Sequence, residues 1–256
     1  MIRLVHFLWM LLVSGSVLGE ELPDLLERLT PSVVGVGAAY PLRAPTGGRP
    51  PRRLMGTGFI VQAADGSYVV TNAHVIPTDL DSDGREQIAI FSGRGNTSQQ
   101  RFARVIKNDP EHDLAVLAYE GGRLPAMSLA ADDRVRPGER VAFTGFPIGA
   151  VLGLYPITHE GIVSAIMPVA RPADQGRQLD AVQMSRLRAP FNVYQLDAIA
   201  YPGNSGSAVY RSTTGEVIGV MNSVFVKESR ETLLSAPSGI AYAIPVRHLH
   251  ALLEGL

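Results

Sequence analysis

The chain of 256 residues contains no cysteine, so a hydrophobic core must stabilise its fold without disulfide bonds. Hydrophobic residues make up 46% of the sequence, which is enough for a core of that kind. An excess of charge is also missing. The formal net charge is −1, which gives no reason to expect nucleic acid or an anionic membrane as a partner. The length allows one large β domain or two small ones.

Long apolar runs are missing except near the N-terminus. Residues 4–13 are apolar apart from His6, a basic residue precedes them, and small residues follow up to Gly19. This layout is typical of a secretory signal peptide, whereas a retained membrane anchor would need a longer apolar run. We expect residues 1–19 to be removed and the rest to have no stable membrane span. Export without disulfide bonds is more typical of bacteria, so the predicted location is the periplasm or the exterior of the cell.

Glycine and proline, in contrast, are abundant, with 26 and 18 residues. They separate short apolar segments, which predicts an all-β protein whose strands are joined by turns. Helical spacing of leucines predicts short helices only near the two ends, over residues 20–29 and 246–253. Residues 41–53 and 168–190 have no periodicity and are predicted to be exposed loops.

One segment combines a serine with several residues that interrupt regular structure. Ser205 lies between Gly203 and Gly206, and Pro202 comes just before them. Such a segment is a poor strand and a poor helix, so a tight loop with an accessible hydroxyl is predicted. The same loop could direct the backbone amides of Gly203 and Ser205 at one point, which is how an oxyanion hole is built.

A serine is a weak nucleophile unless a base, itself oriented by a third group, removes its proton. His74 lies at the end of a predicted strand beside a loop, where a rigid scaffold can hold a functional side chain. Asp113 stands at the start of a buried apolar strand, where a charge is costly unless it is paired. An imidazole N–H would pair with it, and the carboxylate would fix the tautomer of the ring.

Other residues compete for these roles. His159 is an alternative base, although it lies in an alternating strand and is predicted to face the surface or a loop. Asp109 is an alternative carboxylate, but it precedes a proline and lies farther from the apolar strand. Asp113 could instead cap a turn or form a surface pair with His112.

The acidic segment at residues 79–84 imitates the start of a calcium-binding loop. The twelfth position of such a loop carries a bidentate carboxylate, and this chain has Ile90 there. An acidic surface turn is therefore favoured over a metal site, and no metal or other cofactor is predicted.

Several motifs resemble those of the trypsin-like serine proteases, and most closely the bacterial HtrA/Deg branch. The motifs around the three candidate residues are Thr71-Asn72-Ala73-His74-Val75, Asp113-Leu114-Ala115-Val116-Leu117 and Gly203-Asn204-Ser205-Gly206-Ser207. Four more segments resemble that branch in the same order, namely Pro31-Ser32-Val33-Val34, Gly56-Thr57-Gly58-Phe59, Gly161-Ile162-Val163-Ser164 and Gly239-Ile240-Ala241-Tyr242-Ala243-Ile244-Pro245. The resemblance covers roughly residues 20–250.

The resemblance implies a fold of two six-stranded antiparallel β-barrels with the active site between them. The protease domain would cover residues 20–256, and the two barrels would meet roughly at residues 125–140. Members of this branch usually carry PDZ domains after the protease domain. Because the sequence ends at Leu256, we expect substrate capture without one.

The resemblance also implies the role of each site residue. Ser205 would attack the scissile carbonyl, His74 would move its proton to the leaving amine, and Asp113 would orient the imidazole. The oxyanion would be held by the amides of Gly203 and Ser205, with Asn204 as a further donor.

Substrate preference is predicted from one position. In this fold, the residue six before the nucleophile lies near the base of the primary substrate pocket, and here it is Ile199. An apolar side chain there favours small or medium aliphatic P1 residues. The remaining predicted pocket residues are Tyr201, Val220, Met221, Asn222 and Ser223.

The expected function is therefore an exported serine endopeptidase that acts on protein or peptide substrates, with a homo-oligomer as one expected assembly. An alternative is a latent or inactive binding protein of the cell envelope that keeps the protease fold. A third class, the α/β-hydrolase esterases, requires the chain order serine, acid, histidine, whereas the order here is histidine, aspartate, serine.

Overall fold

A computed structural model of the chain describes residues 20–41, 50–83, 85–131, 134–147, 153–169, 190–222 and 240–256. The predicted signal peptide lies outside the described residues, as do most of the two predicted loops.

Within the described residues, twelve strands form two closed antiparallel barrels of six strands each, which confirms the predicted fold class. The first barrel has the strand order β1-β2-β3-β6-β5-β4 and consists of β1 (Val33–Ala39), β2 (Arg52–Gln62), β3 (Ser67–Thr71), β4 (Gln87–Ser92), β5 (Gln99–Asp109) and β6 (Leu114–Tyr119). The second barrel has the order β10-β11-β12-β9-β8-β7 and consists of β7 (Arg140–Gly145), β8 (Ile157–Pro168), β9 (Asn192–Asp197), β10 (Ala208–Arg211), β11 (Val217–Asn222) and β12 (Ile240–Pro245).

Two short helices flank the barrels, α1 (Leu22–Leu29) and α2 (Val246–Leu253). Both are amphipathic, and each buries leucines in a cluster that contains residues of both barrels. Burying a leucine side chain stabilises a fold by about 1.5–3 kcal/mol, so the helices help to fix one barrel against the other. In the part of the chain that the structure describes, neither helix has the length and apolar character needed to cross a membrane.

Three large hydrophobic clusters account for most of the core. One fills the second barrel around Phe143 and Leu196, and another fills the first barrel around Ile60 and Val69. The third lies between the barrels and includes Phe59. The interface between the barrels is therefore packed, and side chains along its edge are held by both halves of the molecule.

Both predicted loops extended too far into neighbouring strands. Arg52 and Arg53 belong to β2, where they pair with Ala39 and Ala38 of β1. Pro168 is the last residue of β8. Strand pairing is made by the backbone. It therefore continues through the charged residues of β2 and as far as a proline at the end of β8, although these segments lack a hydrophobic period.

Candidate active site

Two adjacent strands of the first barrel bring His74 and Asp113 together. Thr71 at the end of β3 pairs with Ala115 near the start of β6. The residues after β3 therefore lie beside the residue that precedes β6. His74 sits in a single 3-10 turn, Ala73–Val75, directly after β3.

The Asp113 carboxylate accepts three hydrogen bonds. Its Oδ2 atom lies 2.7 Å from Nδ1 of His74, and its Oδ1 atom accepts the His74 backbone N–H at 2.9 Å. The third donor is Nδ2 of Asn222, 2.7 Å from Oδ2. Asp113 has a positive φ of 55°, a conformation that Asp tolerates better than most residues but that still costs about 1–2 kcal/mol. The carboxylate is thus fixed in position, and it holds both the ring and the backbone of His74.

Asn222 belongs to β11 of the second barrel, so its hydrogen bond to Asp113 crosses the barrel interface. We predicted Asn222 as a wall of the substrate pocket, and the structure corrects this, since its amide is buried against Asp113. The predictions for Val220 and Met221 are also wrong. Both side chains are fully buried in hydrophobic clusters, because β11 has core on both of its faces. Ser223 lies outside the described residues.

The loop around Ser205, residues 201–207, is a pair of tight turns. Gly203 and Gly206 have φ values of +103° and +86°, which favour glycine. A Cβ atom at Gly206 would also lie closer than 3.0 Å to the Thr57 carbonyl oxygen, so the loop packs directly on β2. On its other side, the loop exchanges backbone hydrogen bonds with Met221 of β11.

This nucleophile loop lies beside the segment that carries His74. A Cβ atom at Gly56 would be 2.9 Å from the Ser205 carbonyl oxygen and 2.8 Å from Cγ2 of Val75, the residue after His74. The Ser205 carbonyl accepts the Thr57 N–H at 2.9 Å. The loop that carries Ser205 and the segments that carry His74 and Asp113 therefore meet at the interface of the two barrels.

The three predicted oxyanion residues have different backbone surroundings. The Asn204 backbone N–H donates to the Tyr201 carbonyl at 3.0 Å, so in this conformation it is turned away from a substrate. This corrects the prediction for Asn204. Among the described residues, the Gly203 N–H has no backbone acceptor. The amides of Gly203 and Ser205 stay the predicted donors.

The alternative carboxylate, Asp109, has its own partner. Its Oδ2 atom lies 2.7 Å from Nδ1 of His112, and its Oδ1 atom accepts the His112 backbone N–H at 3.1 Å. Burial alone would raise the pKa of Asp109, but the hydrogen bonds from His112 outweigh it and hold that pKa below its usual range. His112 therefore pairs with Asp109, and Asp113 is left to His74.

The alternative base, His159, was predicted to face the surface or a loop. Its ring is partly buried and stacks on Phe143 with a centroid distance of 5.1 Å. Burial lowers its pKa, and no carboxylate within the described chain bonds to its ring. The ring of Tyr201, in the nucleophile loop, lies 5.9 Å away, so His159 faces that loop. Ile199, two residues before Tyr201, is 41% exposed.

A guanidinium group occupies the acidic turn that imitates a calcium loop. Arg53 donates to both carboxylate oxygens of Asp79 at 3.0 and 3.1 Å, and to both oxygens of Glu86 at 2.8 and 3.2 Å. Glu86 is buried, and these contacts raise the pKa of Arg53 well above its ordinary value. Across the described ranges, no group of three or more His, Asp or Glu side chains has a metal-binding arrangement.

The profile of a protein family described as "Trypsin-like peptidase domain" matches residues 56–220, which is more than half of the chain. The chain belongs to this family. The resemblance to the HtrA/Deg branch is confirmed by curated relatives. A "Probable periplasmic serine endoprotease DegP-like" of Halomonas elongata is 28% identical over 91% of this chain and 41% of its own length. The corresponding protein of Ectopseudomonas mendocina is 33% identical over 80% of this chain and 35% of its own length.

Solved structures agree with this assignment. A serine endoprotease from Yersinia pestis superposes with a TM-score of 0.61 at 26% identity, covering 92% of this chain and 66% of the other. The HtrA-type protease AlgW with a decapeptide gives a TM-score of 0.62 at 25% identity, covering 92% of this chain and 67% of the other. The chain spans less than half the length of the curated relatives described above.

Proposed function

We propose that this chain is an exported serine endopeptidase that cleaves peptide bonds through a His74–Asp113–Ser205 triad. The observation that carries the proposal is the hydrogen-bonded pair of His74 and Asp113, which lies at the barrel interface beside the Ser205 loop. A nucleophile needs a base with an orienting third group, and these residues supply one. The names of the relatives, which describe serine endoproteases, support the same reaction.

In the proposed reaction, His74 takes the hydroxyl proton of Ser205 while the serine oxygen attacks the scissile carbonyl. The negative charge that develops on the carbonyl oxygen is stabilised by the amides of Gly203 and Ser205. His74 then gives the proton to the leaving amine, and the C–N bond breaks to leave an acyl-enzyme. Water, activated by His74, hydrolyses the ester and restores the serine. Throughout, Asp113 stabilises the charged imidazole.

The proposed substrates are proteins or peptides with a small or medium aliphatic P1 residue. Ile199 supports this preference because its apolar side chain is exposed next to the nucleophile loop. Its neighbours Ala198 and Ala200 are small and buried in the barrel core, so they leave the size of the pocket to Ile199 and Tyr201.

The proposed location is the periplasm or the exterior of a bacterial cell, after removal of residues 1–19. The apolar N-terminal run supports export, and several relatives are named as periplasmic. Assembly into a homo-oligomer stays a prediction.

A peptide-library digest analysed by mass spectrometry tests this function. Mature protein, residues 20–256, should cleave after Val, Ala, Ile or similar residues, and the Ser205→Ala variant should leave the library intact. Intact peptides with both proteins, in the presence or absence of peptide activators, would favour the binding-protein alternative. Cleavage mainly after Lys or Arg would contradict the role of Ile199.

A further inference from the structure

We propose that Thr57, a residue of the first barrel, is the positioning residue that holds the oxyanion site of the nucleophile loop. The inference rests on the proposed peptidase function and deepens it. Thr57 is fully buried in β2, and it is not one of the three triad residues.

Thr57 contacts the loop with both its backbone and its side chain. Its backbone N–H donates to the Ser205 carbonyl at 2.9 Å, and its hydroxyl donates to the Gly203 carbonyl at 2.7 Å. Gly206 packs against its carbonyl oxygen. Three residues of the nucleophile loop, Ser205 among them, are therefore held by one residue of the opposite barrel.

The direction of the hydroxyl hydrogen bond is determined by a second neighbour. The backbone N–H of Phe146 lies 3.0 Å from the Thr57 oxygen, and an N–H can only donate. The Thr57 oxygen accepts that bond, so its own proton is free to point at the Gly203 carbonyl. The hydroxyl thus has one arrangement that satisfies both neighbours.

The peptide between Gly203 and Asn204 is consequently fixed at both ends. Thr57 holds its carbonyl oxygen, and the Tyr201 carbonyl accepts its N–H at 3.0 Å. The ring of Pro202 fixes its own φ, so the Gly203 N–H can turn only about ψ of Pro202 and φ of Gly203. Fixing this peptide therefore restricts the amide that we propose as the main oxyanion donor.

Loss of the Thr57 hydroxyl should change the conformation of the nucleophile loop more than the packing of the barrel. Without it, the Gly203 carbonyl and the buried Phe146 N–H would each lose this hydrogen bond, which is unfavourable. The loop is the part that can relieve this, because rotating the Gly203–Asn204 peptide moves its carbonyl toward another donor. Such a rotation would also displace the oxyanion amide. Serine at position 57 would retain the hydroxyl and its bond.

The test compares Thr57→Val, which has the same shape without the hydroxyl, with Thr57→Ser, which keeps it. Thr144→Val is the matched control, since Thr144 is a buried threonine whose hydroxyl bonds Thr158 and Tyr210 in the second barrel. Removal of one oxyanion-hole donor lowers kcat by about 10²–10³-fold. We expect Thr57→Val to lose about 100-fold in kcat with KM within about twofold, and the other two variants to stay within about threefold of wild type.

Two readouts separate positioning from a general loss of structure. The affinity of a peptide boronate, which mimics the oxyanion state, should fall with kcat/KM in Thr57→Val. Hydrogen exchange of residues 201–207 should be faster in Thr57→Val than in Thr144→Val. If Thr57→Val does not fold, Thr57→Ala replaces it in the same comparison.

Equal kcat in folded Thr57→Val and wild type would overturn the inference while leaving the peptidase function intact. A loss of activity in Thr57→Ser as large as in Thr57→Val would overturn it as well. If the wild type cleaves no peptide, the peptidase function fails, and the hydrogen-exchange comparison still decides whether Thr57 holds the loop. Unchanged exchange in Thr57→Val would then reject that role.

Discussion

Asn222 gives the sharpest prediction for the triad, because it reaches Asp113 from the opposite barrel. Its Nδ2 atom supplies one of three hydrogen bonds to the carboxylate, and both residues are buried. Replacing Asn222 with alanine removes this bond and leaves the two bonds from His74. The orientation of Asp113, and with it that of the imidazole, should become less restricted.

The size of the effect follows from the charge of the acceptor. A hydrogen bond to a charged group contributes about 1.5–3 kcal/mol. If that amount is lost only in the transition state, kcat/KM falls by about 10- to 150-fold, since each 1.36 kcal/mol corresponds to a factor of ten. The loss should be smaller than that of Asp113→Ala, which removes the carboxylate itself.

Asn222→Asp is the companion variant because it has nearly the same shape and creates no cavity. It places a second carboxylate against Asp113, and like charges at this distance repel. Its loss of kcat/KM at pH 8 should therefore exceed that of Asn222→Ala. The assay is hydrolysis of a chromogenic peptide, with urea unfolding to show that each variant is folded. Wild-type kcat/KM, within twofold, in either folded variant would refute the proposed role of Asn222.

Three further predictions concern stability, each measured by urea unfolding. Gly206→Ala should lose at least about 3 kcal/mol of unfolding free energy or fail to fold, because its Cβ would overlap a backbone carbonyl. Gly138 also has a positive φ, +92°, but open space surrounds it, so Gly138→Ala should lose about 1–2 kcal/mol. Equal losses in the two variants would contradict the packing argument. Glu86→Gln should lose about 3 kcal/mol of unfolding free energy, because it breaks a buried ion pair with Arg53. Added Ca²⁺ should leave the urea midpoint of the wild type unchanged. A Ca²⁺-dependent increase in that midpoint would restore the metal-site interpretation. The pKa of the His159 ring is lower in the folded chain than in the unfolded chain, so the unfolded chain binds more protons than the folded chain. The stability that the neutral ring contributes is therefore complete above about pH 6.5, and it is lost as the pH falls below that value. Between pH 7.5 and 5.5, wild type should therefore lose more stability than His159→Phe, and parallel losses would contradict this.

The β class and the two terminal helices were predictable from local signals, whereas the two-barrel arrangement and the pairing of His74 with Asp113 were predicted from the family resemblance. Strand length, turn residues and the helical spacing of leucines can be recognised within short segments of the sequence. The helix at Val246–Leu253, for example, was predicted with its observed bounds. The motifs around His74 and Asp113 lie at the ends of strands that pair, so their proximity follows from the sheet.

The contacts that cross between the barrels were not predictable in this way. Asn222 was predicted as a residue of the substrate pocket, but the direction of its side chain depends on how β11 faces the first barrel. Thr57 belongs to a glycine-rich strand motif, and nothing in that motif indicates that its hydroxyl reaches Gly203. Within the first barrel, Arg53 was assigned to a loop, and strand pairing brings it to Asp79 and Glu86.

The proposed function depends above all on Ser205 acting as a nucleophile that His74 activates. The most direct measurement is the intact mass of mature protein after treatment with a fluorophosphonate probe, followed by peptide mapping. We expect a single adduct on Ser205, which is absent in Ser205→Ala and strongly reduced in His74→Ala. A folded wild-type protein without an adduct on Ser205, with or without a peptide activator, would contradict it.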